Sequence, residues 1–258
     1  MAIGRGTVTA IVGKGGTGKT TLSGLLVRRL LADGLGPVLA VDADPAQGFG
    51  KILGVEPTET LGEIREGLLR PGNQIPAGVA KKGYLDLRVQ SSIVEASGFD
   101  LLTMGRPEGP GCYCFVNNLL RDSLDSLVGN YPWVVIDCEA GMEHLSRRTA
   151  KDVDYLFVVC NGSLASVQTA SRILDLIEDL RTKAAHRILI LNNLAGDTDE
   201  VVESLLDRID AARFDTSGVI PYNQQVSMME REGQSILDLP DESPVSLALE
   251  HVLGKIRG

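Results

Sequence analysis

The strongest constraint on the fold is a glycine-rich segment, GKGGTGKT, at positions 13–20. It satisfies the pattern G-x-x-x-x-G-K-[ST], in which glycines let backbone N–H groups surround phosphate oxygens. The apolar run TVTAIV (7–12) precedes the segment, and an amphipathic stretch (19–33) follows it. A strand, this loop and a helix in that order predict a phosphate-binding loop, because the positive end of the helix dipole then faces the anion.

Each residue type in this loop has its own expected role. The Lys19 ammonium reaches the outer phosphates, and the Thr20 hydroxyl is a magnesium ligand. The alternative is a glycine turn that binds nothing, and the strand and helix on either side argue against it. The predicted nucleotide-binding set in this segment and directly after it is Gly13, Lys14, Gly15, Gly16, Thr17, Gly18, Lys19, Thr20 and Thr21.

Short apolar runs alternate with longer amphipathic stretches along the rest of the chain. After 7–12, the runs are 38–44, 99–104, 133–137, 155–160, 187–192 and 217–220, and the further helical stretches are 117–128, 164–182 and 199–212. Such alternation predicts an α/β fold with a doubly wound, mainly parallel seven-stranded sheet and helices on both faces. We expect one domain over residues 1–258, with an irregular insertion at about 55–97.

The composition argues against several classes of protein. A net charge of −9 disfavours nucleic acid or anionic lipid as the main partner. No apolar run approaches the roughly 20 residues that span a bilayer, and the N-terminus lacks the features of a secretory signal. We therefore expect a cytoplasmic protein whose four cysteines are thiols or metal ligands rather than disulfides.

Lys14 narrows the interpretation of the loop. Its position after the first glycine gives G-K-G-G-x-G-K-T, which resembles the deviant phosphate loop of the MinD/ParA and nitrogenase iron-protein group. The resemblance implies that this lysine crosses a dimer interface and contacts the partner's nucleotide. Such a cation would act on the transferring phosphoryl group as an arginine finger does. The alternative is a solvated lysine at the mouth of the loop.

The same resemblance assigns roles to two carboxylates. Asp44, in VDADP, matches the switch I aspartate that positions or deprotonates the attacking water, whereas Asp42 is expected to be structural. We thus expect Lys14, Lys19 and Asp44 to catalyse hydrolysis of ATP to ADP and phosphate. Asp137 ends the run WVVID, where a Walker B aspartate holds the magnesium shell.

The base is expected to be adenine. A GTPase of this broad class shows N-K-x-D after a late strand, and LNNLAGD (191–197) has no aspartate at that spacing. The resemblance places Asn192 against adenine, with Pro221 and Tyr222 of IPY as the opposite wall. A simple turn role remains the alternative for Asn192.

Two cysteines form a C-x-C pair. Cys112 and Cys114 lie in GPGCYCFVNN (109–118), where extended backbone would direct both sulfurs to one side and a disulfide across one residue would be strained. Two sulfurs cannot complete a tetrahedral site, but a two-fold dimer supplies four. The spacing predicts nickel or zinc shared between two subunits, with metal-free exposed cysteines as the alternative. Cys138 and Cys160 end apolar runs and are expected to be buried and inert.

A closer resemblance follows from two segments, MGRPEGPGCYCFVNNLLR (104–121) and VVIDCEAGMEHLSRR (134–148). They are similar to the carbon monoxide dehydrogenase maturation ATPases of the CooC type, and the likeness covers about 7–222. It implies an ATP- and magnesium-dependent homodimer that binds nickel through the C-x-C pair. The implied client is a nickel enzyme such as carbon monoxide dehydrogenase or acetyl-CoA synthase. One departure is Cys138, where asparagine is expected.

Two other classes stay open. An iron-protein-like redox carrier with a bridging iron–sulfur cluster needs a second cysteine in switch II, and Cys138 comes too early for that position. A MinD-like positioning ATPase needs a basic amphipathic surface. The C-terminal segment 243–258 offers only Lys255 and Arg257 as firm cations, so its apolar spacing predicts a helix packed on the sheet.

Overall fold

The sheet has the predicted architecture. The computed structural model describes residues 6–69, 80–105, 125–138, 152–179, 183–194 and 199–257. All seven predicted strands are present in the sheet, which has the order β3-β4-β2-β5-β1-β6-β7-β8. Its strands are β1 (Thr7–Gly13), β2 (Val38–Ala43), β3 (Val94–Glu95), β4 (Phe99–Thr103), β5 (Trp133–Cys138), β6 (Asp152–Cys160), β7 (Lys183–Leu194) and β8 (Thr216–Pro221).

The eighth strand, β3, was not predicted. It pairs antiparallel with β4 at the edge of an otherwise parallel sheet. A strand of two residues is too short to carry a periodic pattern, so the sequence offered no signal for it. The α/β fold with helices on a mainly parallel sheet is confirmed.

Helices connect the strands. They are α1 (Lys19–Ala32), α2 (Phe49–Leu53), α3 (Leu61–Leu69), α4 (Lys81–Ser91), α5 (Leu164–Asp179), α6 (Asp199–Leu206), α7 (Gln224–Glu232) and α8 (Pro244–Arg257). Of the helix predicted at 117–128, residues 125–128 are described and helical. The described parts of the region 55–97, which was expected to be irregular, form α3, α4 and β3. In α4 only Leu85 and Val89 are buried, which explains why its helical pattern is weak.

The sheet separates two hydrophobic cores. Along β1, Val8 and Ala10 belong to the core beneath α5, whereas Ile11 belongs to the core beneath α1 and α8. Each central strand is therefore buried on both faces, which is why its sequence is apolar without alternation. In α8 the apolar residues Val245, Leu249 and Val252 are buried in the second core, as the spacing predicted.

The topology brings the predicted site together. In this parallel sheet β1 lies between β5 and β6, and β2 pairs with β5 so that Asp42 and Asp137 occupy partner positions. Carboxyl ends of neighbouring parallel strands meet at one edge, where doubly wound sheets bind ligands. Over the described residues, no helix is both long and apolar enough to cross a membrane.

Candidate nucleotide-binding site

The phosphate loop follows β1 and requires glycine at two tightly packed positions. Gly13 and Gly18 have positive φ angles of 152° and 88°. A Cβ on Gly13 would lie 2.3 Å from the carbonyl oxygen of Val159, and one on Gly18 would lie 2.2 Å from Nδ2 of Asn192. The loop therefore packs against β6 and β7, and a side chain at position 13 or 18 would displace it.

The opposite side of the loop is open. A Cβ at Gly15 or at Gly16 would have no heavy atom within 4 Å. Lys14, Gly15 and Gly16 are exposed, whereas Thr17 and Lys19 are buried. This open face is the surface that a phosphate chain would occupy.

One carbonyl oxygen organises the interior of the loop. The oxygen of Lys14 accepts hydrogen bonds from the Thr17 backbone N–H at 3.3 Å and the Thr17 hydroxyl at 2.8 Å. It also accepts one from the Lys19 ammonium at 3.3 Å. Because Lys19 is only 6% exposed, its ammonium group is held against the loop.

The two predicted magnesium ligands are in contact. The Thr20 hydroxyl donates to Oδ2 of Asp137 at 2.7 Å. The Ser23 hydroxyl, which sequence reasoning missed, lies 3.1 Å from Oδ1 of the same carboxylate and 2.9 Å from the Lys19 carbonyl oxygen. Its signal was its place on α1, four residues after Lys19. A hydroxyl and a carboxylate are hard oxygen donors, so these residues fit magnesium.

Burial controls the protonation of the site. Asp137 has no exposed surface, and its pKa is raised to about 7: desolvation and the neighbouring Asp42 raise it, while the Thr20 and Ser23 hydroxyls and Lys19 lower it. Desolvation likewise raises the pKa of Asp42 to about 6, against backbone hydrogen bonds that lower it. A cation at Thr20 and Asp137 would favour the ionised carboxylate over the protonated one.

Asp42 shapes the loop that carries Asp44. Its Oδ1 accepts the backbone N–H of Asp44 at 3.1 Å, and its Oδ2 accepts that of Phe49 at 3.0 Å. Asp44 is partly exposed, and its Oδ1 accepts the N–H of Ala46 at 2.9 Å. The structure thus gives Asp42 a structural role and places Asp44 on the loop between β2 and α2.

A pocket of about 280 Å³ adjoins the phosphate loop, close to the lower end of the roughly 300–1,000 Å³ typical of small-molecule sites. Its lining includes residues 16–18 of the phosphate loop and the apolar side chains of Leu25, Ile220 and Val245. Asn192 also lines it.

Two of the three residues predicted to contact the base line this pocket. Nδ2 of Asn192 donates to the Thr17 carbonyl oxygen at 2.8 Å, so this side chain fixes the loop as well as facing the pocket. Pro221 lines the pocket. Tyr222 is 51% exposed and is not among the described lining residues, so the structure brings Asn192 and Pro221 together but not Tyr222.

Sequence reasoning missed the contribution of α7. Asn223 caps this helix by accepting the N–H of Val226 at 3.1 Å, and Ser227 and Glu230 line the pocket. The Thr21 hydroxyl donates to Oε1 of Glu230. The available signal was the polar spacing of these three residues directly after IPY, which places them on one helical face.

The four cysteines divide into a pair outside the described residues and a pair buried in the core. Cys112 and Cys114 lie outside the described residues, and in the described part of the chain no group of three or more His, Cys, Asp or Glu side chains could hold a metal ion. Cys138 is 1% exposed and Cys160 is fully buried. Burial raises the pKa of Cys160 to about 12 and that of Cys138 further above its usual range. Their predicted burial is confirmed.

A phosphate loop on the central strand of a buried parallel sheet, with a threonine–aspartate pair behind it, defines a P-loop nucleotide-binding protein. The AAA domain family matches residues 6–190, and the chain belongs to this family. Its fold is similar to that of the MinD and ParA ATPases, and its relatives include ATP-binding proteins.

Relatives and solved structures support this assignment over nearly the whole chain. An uncharacterized ATP-binding protein of Methanocaldococcus jannaschii is 38% identical over 251 residues, or 96% of this chain and 98% of the relative. The carbon monoxide dehydrogenase accessory protein CooC of Rhodospirillum rubrum is 35% identical over 256 residues, or 95% and 93%. The septum site-determining protein MinD of Pyrococcus horikoshii, solved with Mg-ADP, has a TM-score of 0.66 at 19% identity over 97% and 95%.

Proposed function

We propose that this protein is an ATP-hydrolysing, homodimeric metal chaperone that supports nickel insertion into a metallocluster of the carbon monoxide dehydrogenase or acetyl-CoA synthase type. The observation that carries the proposal is the 35% identity to CooC over 95% of the chain. The C-x-C pair, Cys112 and Cys114, supplies the thiol chemistry that such a role needs. Zinc is the other cation that this pair suits.

The hydrolytic step uses residues at the edge of the sheet. Lys19, held against the loop, neutralises charge on the outer phosphates, and Asp44 positions or deprotonates the attacking water. Thr20 and Asp137 would hold magnesium, which supplies positive charge to the phosphoryl oxygens. Lys14 is exposed, as required of a side chain that contacts the nucleotide of a second subunit.

Hydrogen bonds connect the nucleotide side to the start of the cysteine segment. That segment leaves the sheet after β4, where the backbone N–H of Met104 donates to the Asp42 carbonyl oxygen at 2.8 Å. The carboxylate of the same Asp42 shapes the loop that carries Asp44. A movement of the Asp44 loop would therefore be passed through these hydrogen bonds to the segment that carries Cys112 and Cys114. Nucleotide and nickel binding are coupled only if the ATP-bound and ADP-bound states bind nickel with different affinity.

Metal stoichiometry tests the proposal. We expect about half an equivalent of nickel per chain in the ATP-bound protein, because two subunits would share one ion, and none in Cys112→Ala/Cys114→Ala. Cys160→Ala is the matched control, since that thiol is buried in the core. Nickel retained by the double variant, or a full equivalent held by a monomer, would contradict the shared site.

One structural observation weighs against the redox-carrier alternative. Such a carrier needs a second interface cysteine, and the Cys138 thiol is buried in the core, 3.8 Å from the Ile136 carbonyl oxygen. A bridging cluster would thus have to form without it. Iron content and visible absorbance after anaerobic purification test this: stoichiometric iron would favour the carrier over the chaperone.

A further inference from the structure

A carboxylate faces the nucleotide pocket at a position that the phosphate-loop motif does not explain. Glu230, on α7, lines the pocket, and its Oε1 accepts a hydrogen bond from the Thr21 hydroxyl on α1. Thr21 directly follows Thr20, so Glu230 is held next to the phosphate end of the pocket. The contact joins two helices that are far apart in the chain.

A negative charge at this place is unfavourable for an anionic ligand unless it is paired. Glu230 is exposed, and a nucleotide that fills the pocket would remove water from its carboxylate, which is costly for an unpaired charge. The ligand must therefore present a hydrogen-bond donor to Glu230. An adenine nucleotide has donors in only two places, the exocyclic amino group of the base and the hydroxyl groups of the ribose.

The position of Glu230 selects between these donors. The apolar walls that suit a flat base are formed by Leu25, Ile220 and Val245. Glu230 instead shares a hydrogen bond with the residue that follows the phosphate loop. The group that lies between the phosphates and the base in any nucleotide is the sugar.

We propose that Glu230 binds the ribose hydroxyl groups of the nucleotide and makes this protein selective for ribonucleotides over deoxyribonucleotides. A carboxylate has two oxygens and about four acceptor sites, so one can hold Thr21 while others accept from the sugar. Thr21 is then a positioning residue that orients the carboxylate. Acidic side chains recognise ribose hydroxyls in the same way in dinucleotide-binding folds. The proposal rests on ATP binding and not on the metal chemistry.

Binding of four nucleotides to the full chain tests it. Dissociation constants are measured for ATP, 2′-deoxyATP, 3′-deoxyATP and inosine triphosphate, which lacks the exocyclic amino group. We expect the unsubstituted protein to bind ATP about tenfold more tightly than at least one deoxy analogue, as one charge-assisted hydrogen bond predicts. In Glu230→Ala this ratio falls to about one, while the ratio of ATP to inosine triphosphate stays unchanged.

Two further variants make the result specific. Glu232→Ala is the matched control, because Glu232 is exposed at the end of the same helix, where Oε2 accepts from Nε2 of Gln234 at 2.9 Å, and it should keep the full preference. Glu230→Gln keeps an acceptor and should keep part of it. The proposal is overturned if the unsubstituted protein binds both deoxy analogues as tightly as ATP, or if Glu230→Ala keeps its preference. It is also overturned if Glu230→Ala alters only the ratio to inosine triphosphate.

Discussion

Asn192 and Gly18 together hold the phosphate loop in place. The amide of Asn192 donates to the Thr17 carbonyl oxygen, and Gly18 packs so closely against it that a Cβ would lie 2.2 Å from Nδ2. Gly18 is also the N-cap of α1 in the left-handed conformation. Two separate penalties, backbone strain and collision, therefore act on any side chain at position 18.

These penalties can be separated by substitution. We expect Gly18→Ala to lower the free energy of unfolding by about 2–4 kcal/mol, because strain adds to the displacement of Asn192. Gly233→Ala is the matched control: its φ is 68°, and a Cβ there would have no atom within 4 Å, so about 1 kcal/mol of strain is expected. Urea denaturation measures both. Equal losses in the two variants would mean that the contact with Asn192 contributes nothing.

Among single residues, the sequence predicted those that belong to a short motif such as the phosphate loop. The Thr20–Asp137 contact follows from a loop after one strand and an aspartate at the end of another, since parallel strands bring both to one edge. Glu230 was missed because its role depends on which helix packs beside the loop. Ser23 was missed because it lies outside the motif and its partner, Asp137, is 114 positions away in the chain. Tyr222 follows the last residue of β8 and is exposed, so its predicted contact with the base stays a prediction.

At the scale of elements, burial decides how well a segment can be predicted. The seven predicted strands are apolar runs because both faces of the sheet are covered, whereas α4 buries only Leu85 and Val89. The helix α3 begins with a capping box: the Thr60 N–H donates to Oε2 of Glu63 at 2.8 Å, and the Glu63 N–H donates to Oγ1 of Thr60 at 3.2 Å. The sequence T-x-x-E was a usable signal for this helix start.

The cap at Thr60 is expected to stabilise more than its own helix. Beside it the Gly62 N–H donates to the Met104 carbonyl oxygen at 2.9 Å, so α3 holds the end of β4 where the cysteine segment begins. We expect Thr60→Ala to cost about 1 kcal/mol of unfolding free energy. Thr60→Ser keeps the hydroxyl and should recover most of the loss, whereas Thr58→Ala, at an exposed position, should change the stability little. A loss in Thr60→Ser as large as in Thr60→Ala, measured by urea denaturation, would exclude the cap as the cause.

At the scale of the whole molecule, the site is assembled from distant parts of one chain. Thr20 meets Asp137 across 117 positions of sequence and Thr21 meets Glu230 across 209. The order of the strands makes the first contact possible, and the approach of α7 to α1 makes the second. A second chain is still needed if Lys14 acts in trans, and within one subunit its side chain is exposed beside the loop.

Mixing two inactive variants distinguishes action in trans from action in cis. Lys14→Ala and Asp44→Ala should each lose most ATP hydrolysis. In a mixed dimer, the nucleotide on the Lys14→Ala subunit has its own Asp44 and receives Lys14 from the other subunit, so one of its two sites is complete. An equal mixture that pairs at random should therefore recover about a quarter of the unsubstituted rate per chain.

The opposite result is equally informative. If Lys14 acts on the nucleotide of its own subunit, both sites of the mixed dimer lack one residue, and mixing restores nothing. Recovery must also fall on dilution, because it depends on association of two chains. Lys51→Ala mixed with Asp44→Ala is a suitable control, since Lys51 is an exposed lysine on α2. The Lys51→Ala protein should hydrolyse ATP before mixing, and mixing should not raise its rate. Recovery that is independent of protein concentration would contradict a lysine donated across a dimer interface.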